Sequence, residues 1–350
     1  MRADRQNDRT DRTDDADSNA EVGGPDAEEL TLVQAVRDGL AAEMVRDERV
    51  MVMGEDVAEN GGVFRATDGL LEAFGPRRVV DTPLAESGIV GSAIGLATHG
   101  LRPVAEMQFL GFSYPAFDQL VSHAARLRSR TRGDVTVPMV VRAPYGGGIR
   151  APEHHSESSE AFFVHQPGIE VVAPSTPYDT KGLLAAAIRD PDPVIFLEPK
   201  KIYRTVREPV PVAPYTVDIG EAAVRRDGSD VSVFTYGAMT RPTMVAAEEL
   251  AGDIDVEVVD LRTLSPVDRE TIVASFEKTG RAAVVHEAPL TGGVGAELSA
   301  ILQEEALLYQ EAPVERITGF DAPMPLHALE DYYIPAAVRI RDRIRETVEL

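Results

Sequence analysis

The chain has no cysteine, which excludes disulfides, thiolate metal sites and cysteine nucleophiles together and agrees with a reducing compartment. It has almost no lysine. Lys181, Lys200, Lys201 and Lys278 stand alone among 35 basic residues, the rest being arginine. No apolar run approaches the about 20 residues of a membrane helix, and the N-terminus lacks the apolar stretch of a secretory signal. A soluble, cytoplasmic protein with no membrane partner is therefore expected. Negative charge is what abounds. The formal net charge of −23 repels nucleic acid and anionic membranes. Many solvated carboxylates with few lysines also fit a halophilic setting, where salt screens self-repulsion.

At 350 residues and 43% apolar composition, the chain can build two domains. Residues 1–29 carry almost no large apolar side chain and read as a disordered acidic tail. Thr31 and Gln34 then form a capping box ahead of Leu32, Val36, Leu40 and Met44 at helical spacing. Strands are expected at 50–54, 78–82, 102–109, 137–146, 169–175 and 193–199. Helices near 67–74, 86–99, 114–130, 158–166 and 177–190 alternate with them. That alternation predicts an α/β fold for residues 30–200, a mostly parallel sheet flanked by helices. Residues 201–220, rich in Pro and Val without helical period, read as the interdomain linker. A second α/β domain is expected over 221–350, with strands at 231–237, 256–262, 282–288 and 314–320 and helices at 239–251, 267–278, 293–310 and 335–349.

Ligands of open α/β sheets bind outside the carboxyl ends of the strands, and four loops gather polar groups there. "GEDVAENGGVFRATDGL" follows the strand 50–54. Glu86 lies just past 78–82, Gln108 ends 102–109, and "RAPYGGGIRAPEHHSESSEAFF" follows the fourth strand. Glu86 is the only acid in "TPLAESGIVG". Either it is a helix N-terminal carboxylate favoured by the dipole, the first reading of its residue type, or it does chemistry. Gln108 and Phe112 read by default as strand-end and core residues. His154 and His155 are adjacent, point apart and have no third ligand at metal spacing, so no metal site is expected. "GGVGAEL", 292–298, is a weak phosphate-turn pattern, and "VVHEAP" puts His286 and Glu287 at a strand end, where a structural role is the default.

Taken in order, "GEDV", "GGVFRAT", "DTPLAESGIVG", "EMQFLGFSYPAFDQ", "RAPYGGG", "HHSES", "HQPGIEVVAPSTPYDTKGLL", "DPVIFLEPK", "DLRTLSPVD" and "VVHEA" carry a family resemblance. From about residue 31 to the C-terminus the chain resembles the β subunit of the thiamine-diphosphate-dependent 2-oxo acid dehydrogenase first component, the transketolase-like pyruvate and branched-chain enzymes. The resemblance implies a pyrimidine-binding domain followed by a transketolase C-terminal-type domain. It implies that Glu86 meets the 1′ nitrogen of the aminopyrimidine and exchanges a proton with it, in an apolar pocket supplied by "PLAESGIVG" that raises the acid's pKa. Phe112 would pack on the aminopyrimidine, Leu84 and Gln108 would line the cofactor, and His155 would handle the acyl intermediate and the incoming lipoyl group, histidine being suited to proton movement near pH 7. No role passes to His154. The family also binds a structural potassium ion near the strands at 137 and 193.

Enzymes of this cofactor hold its diphosphate through a divalent ion on a Gly-Asp-Gly motif, which this sequence lacks. A separate α subunit is thus expected to bring the diphosphate half of the site with Mg²⁺, in an assembly of two α and two β chains. By the same resemblance the C-terminal domain docks on a dihydrolipoyl acyltransferase core. The implied function is oxidative decarboxylation of pyruvate or branched-chain 2-oxo acids with acyl transfer to lipoyl groups. The β subunit of acetoin dehydrogenase, half of a split transketolase and a non-catalytic docking subunit remain as alternatives.

Overall fold

The computed structural model describes residues 26–350, so the expected tail lies outside the described residues apart from 26–29. The strands in chain order are β1 (Ala27–Thr31), β2 (Val50–Gly54), β3 (Val79–Asp81), β4 (Arg102–Glu106), β5 (Val140–Tyr145), β6 (Glu170–Val172), β7 (Val194–Pro199), β8 (Arg207–Pro211), β9 (Ala223–Arg226), β10 (Val231–Thr235), β11 (Val256–Asp260), β12 (Thr263–Ser265), β13 (Ala282–Val285) and β14 (Glu315–Ile317). A seven-stranded sheet runs in the order β12-β6-β7-β5-β4-β2-β3, and a five-stranded sheet in the order β14-β13-β10-β11-β9. Within them only the edge strands β12 and β9 pair antiparallel. The α/β reading holds.

Side chains alternate between the two faces of a strand, and that alternation divides the core. Val104, Val140 and Phe196 pack with Leu32, Val36, Leu40 and Met44 of the helix Leu32–Arg46. Ala105, Val141 and Ile195, each adjacent to one of these on its strand, pack with Ile89, Val90, Ala93 and Ile94 of the helix Glu86–Thr98. The capping box is formed: Thr31 N–H donates to Gln34 Oε1 at 2.9 Å while Thr31 Oγ1 accepts from Gln34 N–H.

Four expectations are corrected. Order begins inside the expected tail, because β1 pairs antiparallel with β8. The linker is likewise structured, since β8 lies within it. Residues 114–130 are not one α-helix: a 3-10 segment Leu110–Ala116 containing Pro115, a π-helical turn Gln119–Ala124 and a short α-helix Ala125–Arg130 follow one another, as expected where proline removes a backbone donor. Finally β12, from beyond the linker, joins the first sheet through β6, so the two halves share a sheet edge.

Buried polar contacts tie the halves together. Arg262 reaches Asp179 at 3.0 Å, and Arg225, paired with Asp260 at 2.9 Å in its own half, also meets Asp179. Tyr236, after β10, donates its hydroxyl to Glu160, whose other carboxylate oxygen is buried without a partner. Burial pushes the Glu160 carboxyl up to about 7, against the lowering effect of the Tyr236 hydrogen bond. An acid whose folded pKa is raised binds protons that the unfolded chain has already released. Stability is then lost as pH climbs from about 4.5 to 7, by up to about 3 kcal/mol. Glu160→Gln keeps the acceptor for Tyr236 and should gain that much relative to the wild type at pH 8, with little gain at pH 4.5. Urea unfolding followed by far-UV circular dichroism at the two pH values tests this, and equal differences at both would refute it.

Candidate active site

The sheet delivers the four expected loops to one edge. After β2 the chain turns through Asp56, Gly61 and Gly62, all at positive φ, and is pinned to the end of β3 where Asp81 accepts from Ala58 N–H at 2.7 Å and Glu59 N–H at 3.2 Å. Glu86 begins the helix Glu86–Thr98 immediately past β3. The N-cap, Ala85, offers no side-chain cap, and Glu86 at the first helical position lies at the positive end of the dipole.

A second acid, Glu55, was not singled out in the sequence. It is buried, with Oε1 lacking a partner. Burial raises its pKa, and repulsion from Glu86, Asp56 and Glu106 adds to the rise. A carboxyl beside another carboxylate, following a fully apolar strand, is the signal that could have found it.

Beneath this acidic group lies one guanidinium. Arg142 of β5 is buried and makes a bidentate pair with Glu198 of β7, Nε to Oε1 at 2.6 Å and Nη2 to Oε2 at 2.7 Å. It also bonds Glu106 of β4. Burial alone would push Arg142 down, but Glu198 and Glu106 together raise its pKa. Glu106 itself is raised by burial against the pull of Arg142.

Aromatic rings form the other wall. Phe109 packs edge-on against Phe64 at 5.5 Å and Phe112 at 5.3 Å between ring centres. His155 sits 4.6 Å from Phe109 and 5.0 Å from Phe112, again edge-on, and its Nδ1 is buried without a hydrogen-bond partner. His154 reaches Phe112 and Tyr114 instead. The histidine loop can approach so closely because residue 111 is glycine: a Cβ there would collide with the carbonyl of His154. Phe112 and His155 thus come together, and Gln108 stands half-buried at the end of the same segment.

The apolar pocket expected around Glu86 is not closed by this chain. Leu84 is 83% exposed, Glu86 is half-buried, and Ala85, Ser87 and Gly88 are exposed. Only from Ile89 onward does the helix turn into the core, because residues 83–88 project beyond the strand ends. The wall is one-sided. A carboxylate, an aromatic face and an unpaired imidazole nitrogen suit a flat heteroaromatic ring with exchangeable protons, such as an aminopyrimidine. Among the described residues no group of three or more His, Cys, Asp and Glu is placed to hold a metal ion. No helix among them is long and apolar enough to cross a membrane.

The glycine turn at 292–298 serves another group. His286, buried, accepts from Gly295 N–H on Nε2 at 3.3 Å and approaches the carbonyl of Ala288 with Nδ1 at 3.2 Å. Burial lowers its pKa to about 4, which matches a neutral ring capping the helix Val294–Glu305. The turn is glycine-rich because a Cβ at Gly293 would lie 2.8 Å from the imidazole.

Residues 28–206 match the family described as transketolase, pyrimidine binding domain, and residues 220–340 match transketolase, C-terminal domain. The pyruvate dehydrogenase E1 component subunit beta of Staphylococcus aureus is 50% identical over 322 residues, covering 92% of this chain and 99% of the relative. Its namesake from Bacillus subtilis (strain 168) gives the same identity and coverage. A solved split gene transketolase, an inactive beta4 tetramer, superposes with a TM-score of 0.74 over 92% of this chain and 99% of its own, at 23% identity. That last likeness is one of fold.

Proposed function

The chain belongs to the β-subunit family of the thiamine-diphosphate-dependent 2-oxo acid dehydrogenase first component, and from that premise we propose that it forms the pyrimidine half of a site that oxidatively decarboxylates pyruvate and passes the acyl group to a lipoyl arm. The observation that carries this reading is the packing of Phe112 on His155, on a segment tied to the start of the Glu86 helix where Ser87 donates to the carbonyl of Pro115, with Leu84 bare to solvent. Such a wall is complete only against a second chain.

In this reading Leu84, Glu86, Gln108 and Phe112 hold the aminopyrimidine. Thiamine diphosphate, when bound, supplies the nucleophilic carbon and the electron sink that decarboxylation requires. Glu86 holds and returns a proton at its carboxyl, beside Glu55, whose own pKa is raised by burial and by Glu86. Phe112 fixes the plane of the ring, and Leu84, covered by the partner, excludes water. His155 exchanges a proton with the lipoyl sulfur through its imidazole. An α subunit brings the diphosphate half with Mg²⁺, in an assembly of two α and two β chains that meets an acyltransferase core. Pyruvate is favoured over branched-chain 2-oxo acids because the relatives at 50% identity carry that name.

The test is co-expression with the α subunit and measurement of 2-oxo acid-dependent reduction of an artificial electron acceptor, with thiamine diphosphate and Mg²⁺ at high salt. Pyruvate, 2-oxoisovalerate and acetoin are compared. Turnover of pyruvate that needs both chains is expected. Preference for either other substrate reassigns the complex, and silence on all three with the assembly verified points to sugar transfer or docking.

A further inference from the structure

One cluster of buried ions takes no part in the proposed chemistry. Where the chain leaves β5, Gly146 and Gly148 take φ of +79° and +92°, a region open to glycine, and start the loop that ends in His155. Side chains grip the backbone of that turn. Gly147 N–H donates to Glu287 Oε2 at 2.8 Å, Gly148 N–H donates to Glu330, and Lys200 Nζ donates to the carbonyl of Gly146. Glu287 follows β13 and Glu330 opens the helix Glu330–Tyr333, so both acids come from the C-terminal half, whereas Lys200 follows β7. All three are buried.

The grip is close on every side. A Cβ at Gly147 would lie 2.8 Å from Ile334 Cδ1 and 2.9 Å from Met324 Cε. Gly146 N–H donates to the carbonyl of Glu157 at 2.9 Å, closing the base of the loop, and Arg150 meets Asp331 at 3.2 Å further out. Burial pulls Lys200 down to about 7 while Glu287 and Glu330 raise it, and burial raises Glu287 against the Gly147 N–H and Lys200. Three buried ionisable groups are a costly way to hold three peptide groups. The loop they hold is the one that presents His155.

We propose that Glu287 and Glu330 are positioning residues, through which the C-terminal half sets the His155 loop for acyl transfer to the lipoyl arm. This rests on the reading of His155 given above. The assembled α/β enzyme is made with Glu287→Ala, Glu287→Gln, Glu330→Ala and His155→Ala, and three quantities are read: amide exchange in the peptide 146–157, reductive acylation of a lipoyl domain, and reduction of an artificial acceptor. Glu287→Ala should speed exchange in that peptide by at least about tenfold. It should slow lipoyl acylation by at least about tenfold while acceptor reduction stays within about threefold. Glu287→Gln, which can still accept from Gly147, should restore both. Glu330→Ala should repeat the pattern and decides the matter if Glu287→Ala fails to assemble. Unchanged exchange, loosening spread over the whole chain, or equal losses in both activities would overturn the proposal. Normal acylation by His155→Ala would sink the role of His155 instead, and faster exchange confined to 146–157 would still support the clamp.

Discussion

Glu86→Gln should assemble with the α subunit as the wild type does and lose at least about 100-fold in decarboxylation. Glutamine has the same shape and keeps a hydrogen-bonding oxygen at the start of the helix Glu86–Thr98. The side chain is only half-buried, so loss of its charge at the helix N-terminus costs folding about 1 kcal/mol or less. The variant isolates proton exchange from structure. Acceptor reduction measured beside the melting temperature of the assembled enzyme reads both at once. Turnover within a few-fold of wild type, with an unchanged melt, would show that no proton passes through this carboxyl. The large effect is expected because Gln cannot exchange a proton, and Glu55 is buried away from the exposed start of the helix.

The sequence made this site legible only in part, and the reason is physical. Short apolar runs such as "VMVMG" and "PVIFLEP" locate strands because both of their faces are buried, and the capping box locates the first helix. Edge strands carry no such mark. β1 is "AEELT", mostly exposed or half-buried, β8 holds two prolines, and β12 is three residues long. Their pairing depends on partners far away in sequence, Ala27 with Pro211, 184 residues on, and Thr263 with Val172, 91 residues back. The stretch around Glu86 misled in the opposite direction. Apolar residues at 83–85 read as a closed pocket, yet composition cannot distinguish a side chain packed within its own chain from one left bare for another. Glu287 read as a strand-end acid of structural default, and nothing local in "VVHEAP" reveals that its partner is the glycine turn 140 residues earlier.

Arg142→Met should destabilise the chain by about 3 to 5 kcal/mol, the cost of stranding buried charges when their counter-ion is removed. Met matches the length of the aliphatic stem, so the packing loss is small beside the electrostatic one. Glu106 and Glu198 sit 3% and 0% exposed on the flanking strands, and Tyr203 also donates to Glu198. Left without Arg142 they must take up protons or unfold the edge of the sheet that carries Gln108. Urea unfolding by circular dichroism measures the loss, the chain having no tryptophan for fluorescence. Adding Glu106→Gln and Glu198→Gln to Arg142→Met removes the stranded charges and should recover most of the loss, since hydrogen bonds among neutral groups need no counter-ion. If the triple variant is no more stable than Arg142→Met, the guanidinium acts through shape and not through charge. Recovery of stability without recovery of decarboxylation would separate two tasks of this arginine: neutralising its own pair, and holding the charge of Glu106 that acts on Glu55.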